Sequence, residues 1–175
     1  METHVFIIRH FETDGDEKIN YKNSVKEVNS FINFIFNYIN KNNIKEIDIF
    51  ISPQERTLIT GLILSNYLKD IPNIKVNSPV INKIIDRDPK KKKKETINNY
   101  FKNTREIYKN NTITIYVTHS STYFSIFEGI LKNVGVKSKT ETKKIHEYSL
   151  SYITRTNKEV EYLYNINPKK IHRHL

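Results

Sequence analysis

Two hydrophobic periods alternate along the chain. Unbroken runs rich in β-branched and aromatic residues at Val5 to Ile8, Ile44 to Ile51 (IKEIDIFI), Lys75 to Val80 and Thr112 to Val117 (TITIYV) predict strands. Between them, apolar residues recur three and four positions apart. From Ser24 to Asn40 they fall at Val25, Val28, Phe31, Ile32, Ile35, Phe36 and Ile39, which predicts an amphipathic helix with Ser24 as N-cap and Glu27 completing a capping box. A second helix is expected over Gln54 to Leu68, opened by Pro53 and carrying Leu58, Leu62, Ile63 and Tyr67 on one side. Thr96 to Tyr108 and Tyr123 to Val134 read as two more helices, and Ser149 to Thr154 with Val160 to Asn165 as a terminal hairpin. The polar stretch from Glu12 to Tyr21, which holds Gly15, reads as a loop.

Strands that alternate with helices predict an α/β fold: a three-layer sandwich whose mainly parallel sheet has an antiparallel edge strand and helices on both faces. With 175 residues, no internal repeat and no flexible linker, residues 1–175 are expected to form one domain. In such folds ligands sit beyond the carboxyl ends of the parallel strands. Three strands here end on chemically loaded residues: Arg9-His10, then Ser52-Pro53 leading to Arg56, then Thr118-His119. Two arginines and two histidines converging at one sheet edge make a cationic pocket suited to a phosphoryl group. Arginine forks offer paired, charge-assisted hydrogen bonds, and helix N-termini add N–H donors and a positive dipole end. A neutral imidazole held there can attack phosphorus.

Composition narrows the chemistry. There are no cysteines, which excludes disulfides, thiolate metal sites and a cysteine nucleophile. The N-terminus lacks the features of a signal peptide and no apolar run approaches about 18 residues, so a cytoplasmic protein without a membrane partner is expected. The formal charge of +10 gives the surface an attraction for phosphates, nucleic acid or acidic proteins. The abundance of lysine, asparagine and isoleucine is also what an AT-rich genome would produce, and the Lys90 to Lys94 run reads first as a solvated loop. Its sharper reading is an overhang that draws in a phosphorylated protein, polyphosphate or nucleic acid. Tyr100, Phe101 and Tyr108 read as core by their helical spacing. His4, His146, His172 and His174 have no motif around them and are expected at surface or tail positions.

The stretches RHFET at Arg9, SPQERTLIT at Ser52 and VTHSS at Val117 resemble, in order and spacing, the RHGET, SPxxRTxxT and THG motifs of the histidine phosphatase superfamily, which includes the cofactor-dependent phosphoglycerate mutases. The C-terminal EYSLSYI and NINPKKIHRHL are similar to the family's closing hairpin and tail. The resemblance implies a phosphoglycerate mutase-like fold, with His10 as the nucleophile that becomes phosphorylated and Arg9, Arg56 and His119 clamping the phosphoryl oxygens. It also implies a general acid after the third strand, for which Asp86 in IIDRDP is favoured and Asp88 is the alternative. Thr13, Arg87, Asp88 and Ser120 are possible substrate contacts. No metal and no other cofactor is implied.

The sequence departs from the family pattern where Phe11 and Ser120 replace glycines and Asp16 stands where asparagine is common. Phe11 is expected to put bulk near the pocket entrance, and Asp16 to repel an anion if it faces the site. Little chain separates the second helix from the third, so the chain resembles the small, lid-poor members, including phosphohistidine protein phosphatases, some of which lack a carboxylate acid. The expected function is metal-independent hydrolysis of phosphomonoesters, on a phosphorylated small molecule or phosphoprotein. Protein phosphohistidine phosphatase and phosphoglycerate-type mutase are the enzymatic alternatives. A catalytically silent phosphate or phosphoprotein binder is the alternative from another class, and a nucleic-acid module is the least favoured.

Overall fold

The computed structural model describes residues 2–11, 13, 19–87, 94–137, 145, 149–157 and 159–166. Its strands are β1 (Thr3–Arg9), β2 (Glu46–Ile51), β3 (Lys75–Val76), β4 (Val80–Ile81), β5 (Thr112–Thr118), β6 (Leu150–Arg155) and β7 (Val160–Ile166). Its helices are α1 (Tyr21–Asn42), α2 (Glu55–Lys69), α3 (Lys94–Asn103) and α4 (Ser120–Asn133). The strands form one sheet in the order β3-β2-β5-β1-β6-β7, with β4 also paired to β2. Pairings on the β3, β4, β2, β5 and β1 side are parallel, whereas β1–β6 and β6–β7 are antiparallel. The antiparallel edge is therefore a hairpin rather than one strand.

β1 and β5 are buried along nearly their whole length, as strands covered on both faces must be. Successive side chains point to opposite faces, so Phe6 and Ile8 join one core with α1 and α2, while Val5 and Ile7 join the other with α3 and α4. This is the expected three-layer sandwich. Among the described residues no helix is long and apolar enough to cross a membrane.

Several elements differ from expectation for identifiable reasons. Ser24 is not the cap of α1: the helix starts at Tyr21, Ser24 N–H donates to the Asn20 carbonyl at 3.0 Å, and Ser24 Oγ donates to the same carbonyl. α2 does not bury the side carrying Leu62 and Tyr67, which are 54% and 39% exposed. It buries Thr57, Thr60, Gly61, Leu64, Ser65 and Leu68 instead. A Cβ on Gly61 would lie 2.2 Å from Ile51 Cδ1, so this small-residue face is what lets the helix sit close on β2. The expected strand from Lys75 splits into β3 and β4. Pro79 supplies no N–H for a continuous ladder, and Asn77 turns its amide to Asp48 and Glu46. α3 stops at Asn103 because the Asn133 amide of α4 donates to the carbonyls of Phe101 (2.7 Å) and Thr104 (3.0 Å). Phe101 is core, as expected, with Tyr100 and Tyr108 packed beside it.

Candidate functional site

Register makes the site. Ile8 pairs with Val117 and Arg9 with Thr118 across β1–β5, and Ile51 pairs with Val117 across β2–β5. The three adjacent strands thus end level, and the next residues of each, His10, Ser52 and His119, leave the same edge side by side. Neighbouring strands lie about 4.8 Å apart, so the three tips fall within about 10 Å. His10 N–H donates to the Thr118 carbonyl at 3.1 Å and Ser52 N–H to the Val117 carbonyl at 3.0 Å, extending the ladder one residue past each strand.

His10 is 2% exposed, and its ring centroid lies 5.6 Å from that of His119. Its Nδ1 is 2.8 Å from the Phe11 carbonyl oxygen. A carbonyl only accepts, so Nδ1 carries the proton and Nε2 keeps its lone pair. Burial, with Arg9, Arg56 and His119 nearby, pushes the His10 pKa down to about 3 against the opposing pull of the Phe11 carbonyl. Burial, then Arg56, Arg87 and Arg9, pushes His119 down to about 3 as well. Both imidazoles are neutral at neutral pH.

Around this pair a lattice of hydroxyls holds the elements in place. Thr60 Oγ1 donates to the Arg56 carbonyl at 2.7 Å and accepts Phe11 N–H at 2.9 Å, which latches α2 to the chain leaving β1. Thr57 Oγ1 donates to the Ser52 carbonyl at 2.9 Å, latching it to β2. Arg56 thereby enters from the first turn of α2. Arg9 sends Nη1 to the Ile145 carbonyl at 2.5 Å. His119 is the N-cap of α4, and neither it nor Gln54, the N-cap of α2, caps its helix with a side chain. Two positive helix ends therefore flank the pocket.

Asp86 follows a single 3-10 turn, Lys83–Ile85, that the core fixes through Ile85, which is fully buried. Thr118 Oγ1 donates to the Ile85 carbonyl at 2.8 Å and shares a 2.6 Å hydrogen bond with Thr122. The carboxylate meets Ser52 Oγ at 3.2 Å, and the same Ser52 Oγ is 3.0 Å from His119 Nε2. Arg87 is exposed, with its backbone N–H on Asp86 Oδ1 at 2.6 Å, and Ser120 is the exposed first residue of α4. The structure thus brings Arg9, His10, Arg56, Asp86, Arg87 and His119 together at one edge. Thr13 pairs with Ile19 in an isolated bridge. Asp88, Asp16, Lys90 to Lys93, His146, His172 and His174 lie outside the described residues.

Two expectations are corrected. Phe11 does not narrow the pocket entrance: it is 2% exposed and belongs to the apolar cluster of α1 and α2. His4 is not at the surface but 1% exposed, with Nδ1 2.7 Å from the Tyr38 hydroxyl. The residues that sequence reasoning gave no role, Ser52, Thr57, Thr60, Thr118 and Thr122, all lie in or directly after the quoted motifs. Their signal was the hydroxyl at each fixed motif position.

No family model and no curated protein matches the chain. Solved structures do. A phosphoserine phosphatase mutant from Entamoeba histolytica, in complex with phosphoserine, superposes with TM-score 0.55 at 14% identity, covering 93% of this chain and 96% of that one. A protein assigned as the phosphohistidine phosphatase SixA from Agrobacterium tumefaciens gives TM-score 0.54 at 12% identity, covering 95% and 98%. At these identities the likeness is one of fold, and both neighbours are histidine phosphatase superfamily proteins. The chain has the phosphoglycerate mutase-like fold of that superfamily, the architecture its three strand-end motifs led us to expect.

Proposed function

We propose that the protein is a phosphatase that hydrolyses phosphomonoesters through a phosphohistidine on His10. The observation that carries this reading is the fixed tautomer: Nδ1–H is tied to the Phe11 carbonyl, so the Nε2 lone pair is free for nucleophilic use in a pocket surrounded by cationic groups. The neutral state of His10 matters, because a protonated imidazole could not attack.

In the first step Nε2 bonds to phosphorus as the bond to the leaving oxygen breaks. Arg9, Arg56, His119 and the two helix ends stabilise the phosphoryl oxygens, and Asp86 gives a proton to the leaving oxygen. In the second, water attacks phosphorus, the N–P bond breaks, and Asp86 takes the proton of the water. Asp88 is the alternative acid. Arg87, exposed beside Asp86, is placed to meet an anionic part of a substrate. A phosphorylated small molecule or phosphoprotein is the expected substrate class, with protein phosphohistidine phosphatase and phosphoglycerate-type mutase as variants on the same pocket. The silent-binder alternative loses one of its two motives, since Phe11 packs in the core.

The test is hydrolysis of p-nitrophenyl phosphate with chelator present. Wild-type turnover that resists chelation and falls to background in His10→Ala is the expected result. Arg56→Ala should lower kcat/KM by about 10²–10³, the cost of one lost anion-stabilising group. Undiminished turnover in His10→Ala would overturn the mechanism.

A further inference from the structure

Ser52 is fully buried, and its single hydroxyl lies between two titratable groups, 3.2 Å from Asp86 Oδ1 and 3.0 Å from His119 Nε2. A hydroxyl has one hydrogen, so it donates to one neighbour and accepts from the other. Only two polarities are therefore available. With Asp86 ionised, Ser52 donates to the carboxylate and accepts from His119 Nε2–H, which leaves a lone pair on His119 Nδ1. With Asp86 protonated, the carboxyl donates to Ser52, Ser52 donates to His119 Nε2, and Nδ1 carries the hydrogen. Nδ1 is itself buried and has no hydrogen-bond partner among the described residues.

We propose that Ser52 is a positioning residue that makes Asp86 and His119 one proton-linked chain, so that an oxyanion entering the pocket draws one proton onto it. This rests on the phosphate-pocket reading above. An oxyanion only accepts, so one that reaches Nδ1 is repelled by a lone pair there and held by an N–H. Through Ser52, an N–H at Nδ1 requires either a proton on Asp86 or a second proton on His119. Either way the chain Asp86–Ser52–His119 gains one proton from solvent. Beside the burial that disfavours its charged form, the charged groups facing His119 are Arg9 on β1, Arg56 on α2 and Arg87 next to Asp86, while His10, beyond Arg9, is neutral. All these cations oppose a proton on His119 in the empty site, and a bound dianion offsets them. If Ser52 is removed, His119 is free to move its single proton from Nε2 to Nδ1 and no uptake is needed.

Sulfate, which does not titrate near neutrality, serves as the probe. Its binding, measured by calorimetry near pH 7 in buffers of different ionisation enthalpy, should take up about one proton in the wild type, and affinity should rise about tenfold for each pH unit lowered. Ser52→Ala should bind with uptake near zero and a flat pH profile. Ser52→Thr should restore both, and Asp86→Asn, which removes the proton acceptor, should abolish uptake while still binding. Wild-type binding with no proton uptake, or Ser52→Ala with the wild-type slope, would overturn the relay and leave the phosphate pocket standing. Absence of sulfate binding to the wild type would overturn the pocket reading and the relay with it. Should Ser52→Ala fail to fold, Asp86→Asn decides alone, since retained uptake in it would overturn the chain.

Discussion

His10 and Phe11 are neighbours in sequence that serve opposite ends of the same geometry. The imidazole stays at the sheet edge, while the phenyl ring drops into the α1 and α2 core and fixes the carbonyl that holds Nδ1. Phe11→Ala should therefore cost about 3–5 kcal/mol of stability, read in denaturant unfolding, with no widening of the substrate range. Wider specificity at full stability would place the ring at the pocket. The two buried imidazoles also set a pH dependence. Their folded pKa values, about 3, lie below the ordinary 6.5, so the unfolded chain binds more protons in between. Their contribution to stability is thus whole above about pH 6.5 and is lost as pH falls towards 3. Unfolding free energy measured from pH 7 to pH 4 should fall less steeply in His119→Gln than in the wild type; parallel curves would contradict this. The four motif residues were legible in the sequence because each lies at the end of a strand with an unambiguous pattern or within a few residues after it. The inward turn of Phe11 was not, since a single aromatic after a strand has no periodicity to show which way it faces.

At the scale of elements, the strands and the parallel order were legible and the helix seatings were not. Hydrophobic spacing put Leu62 and Tyr67 of α2 inward, but close approach to Ile51 selects the face of Thr57, Thr60 and Gly61. Those small polar residues are also the ones that latch the helix to β1 and β2, so packing and positioning of Arg56 are satisfied by one face. A periodicity argument weighs apolar size and passes over such a surface. Likewise, the end of α3 is set by Asn133, thirty residues downstream of the helix it stops. A second close seat is between α3 and α4, where a Cβ on Gly129 would lie 2.7 Å from Phe101 Cβ and 3.2 Å from the Asn98 backbone. Gly129→Ala should destabilise by roughly 1–3 kcal/mol, because helix backbone must shift to admit the methyl group. Thermal unfolding measures it, and an unchanged midpoint would show that α3 yields freely.

For the whole molecule, a formal charge of +10 surrounds a pocket that is itself cationic. A dianionic substrate should be drawn in at long range, so raising salt to about 0.3 M should lower kcat/KM while leaving kcat nearly constant. A salt-independent kcat/KM would confine electrostatics to the pocket. The level ends of β1, β5 and β2 are the feature on which everything else depends: they turn three separated motifs into one site, in which His10 Nε2 is the proposed nucleophile. The most direct measurement is therefore a rapid acid-free quench of the protein mixed with a phosphomonoester, followed by peptide mass spectrometry under alkaline conditions. The account predicts a phosphoryl group on His10 that is lost on acid treatment and is missing in His10→Ala. Turnover without phosphate on His10, or with phosphate on another residue, would contradict it.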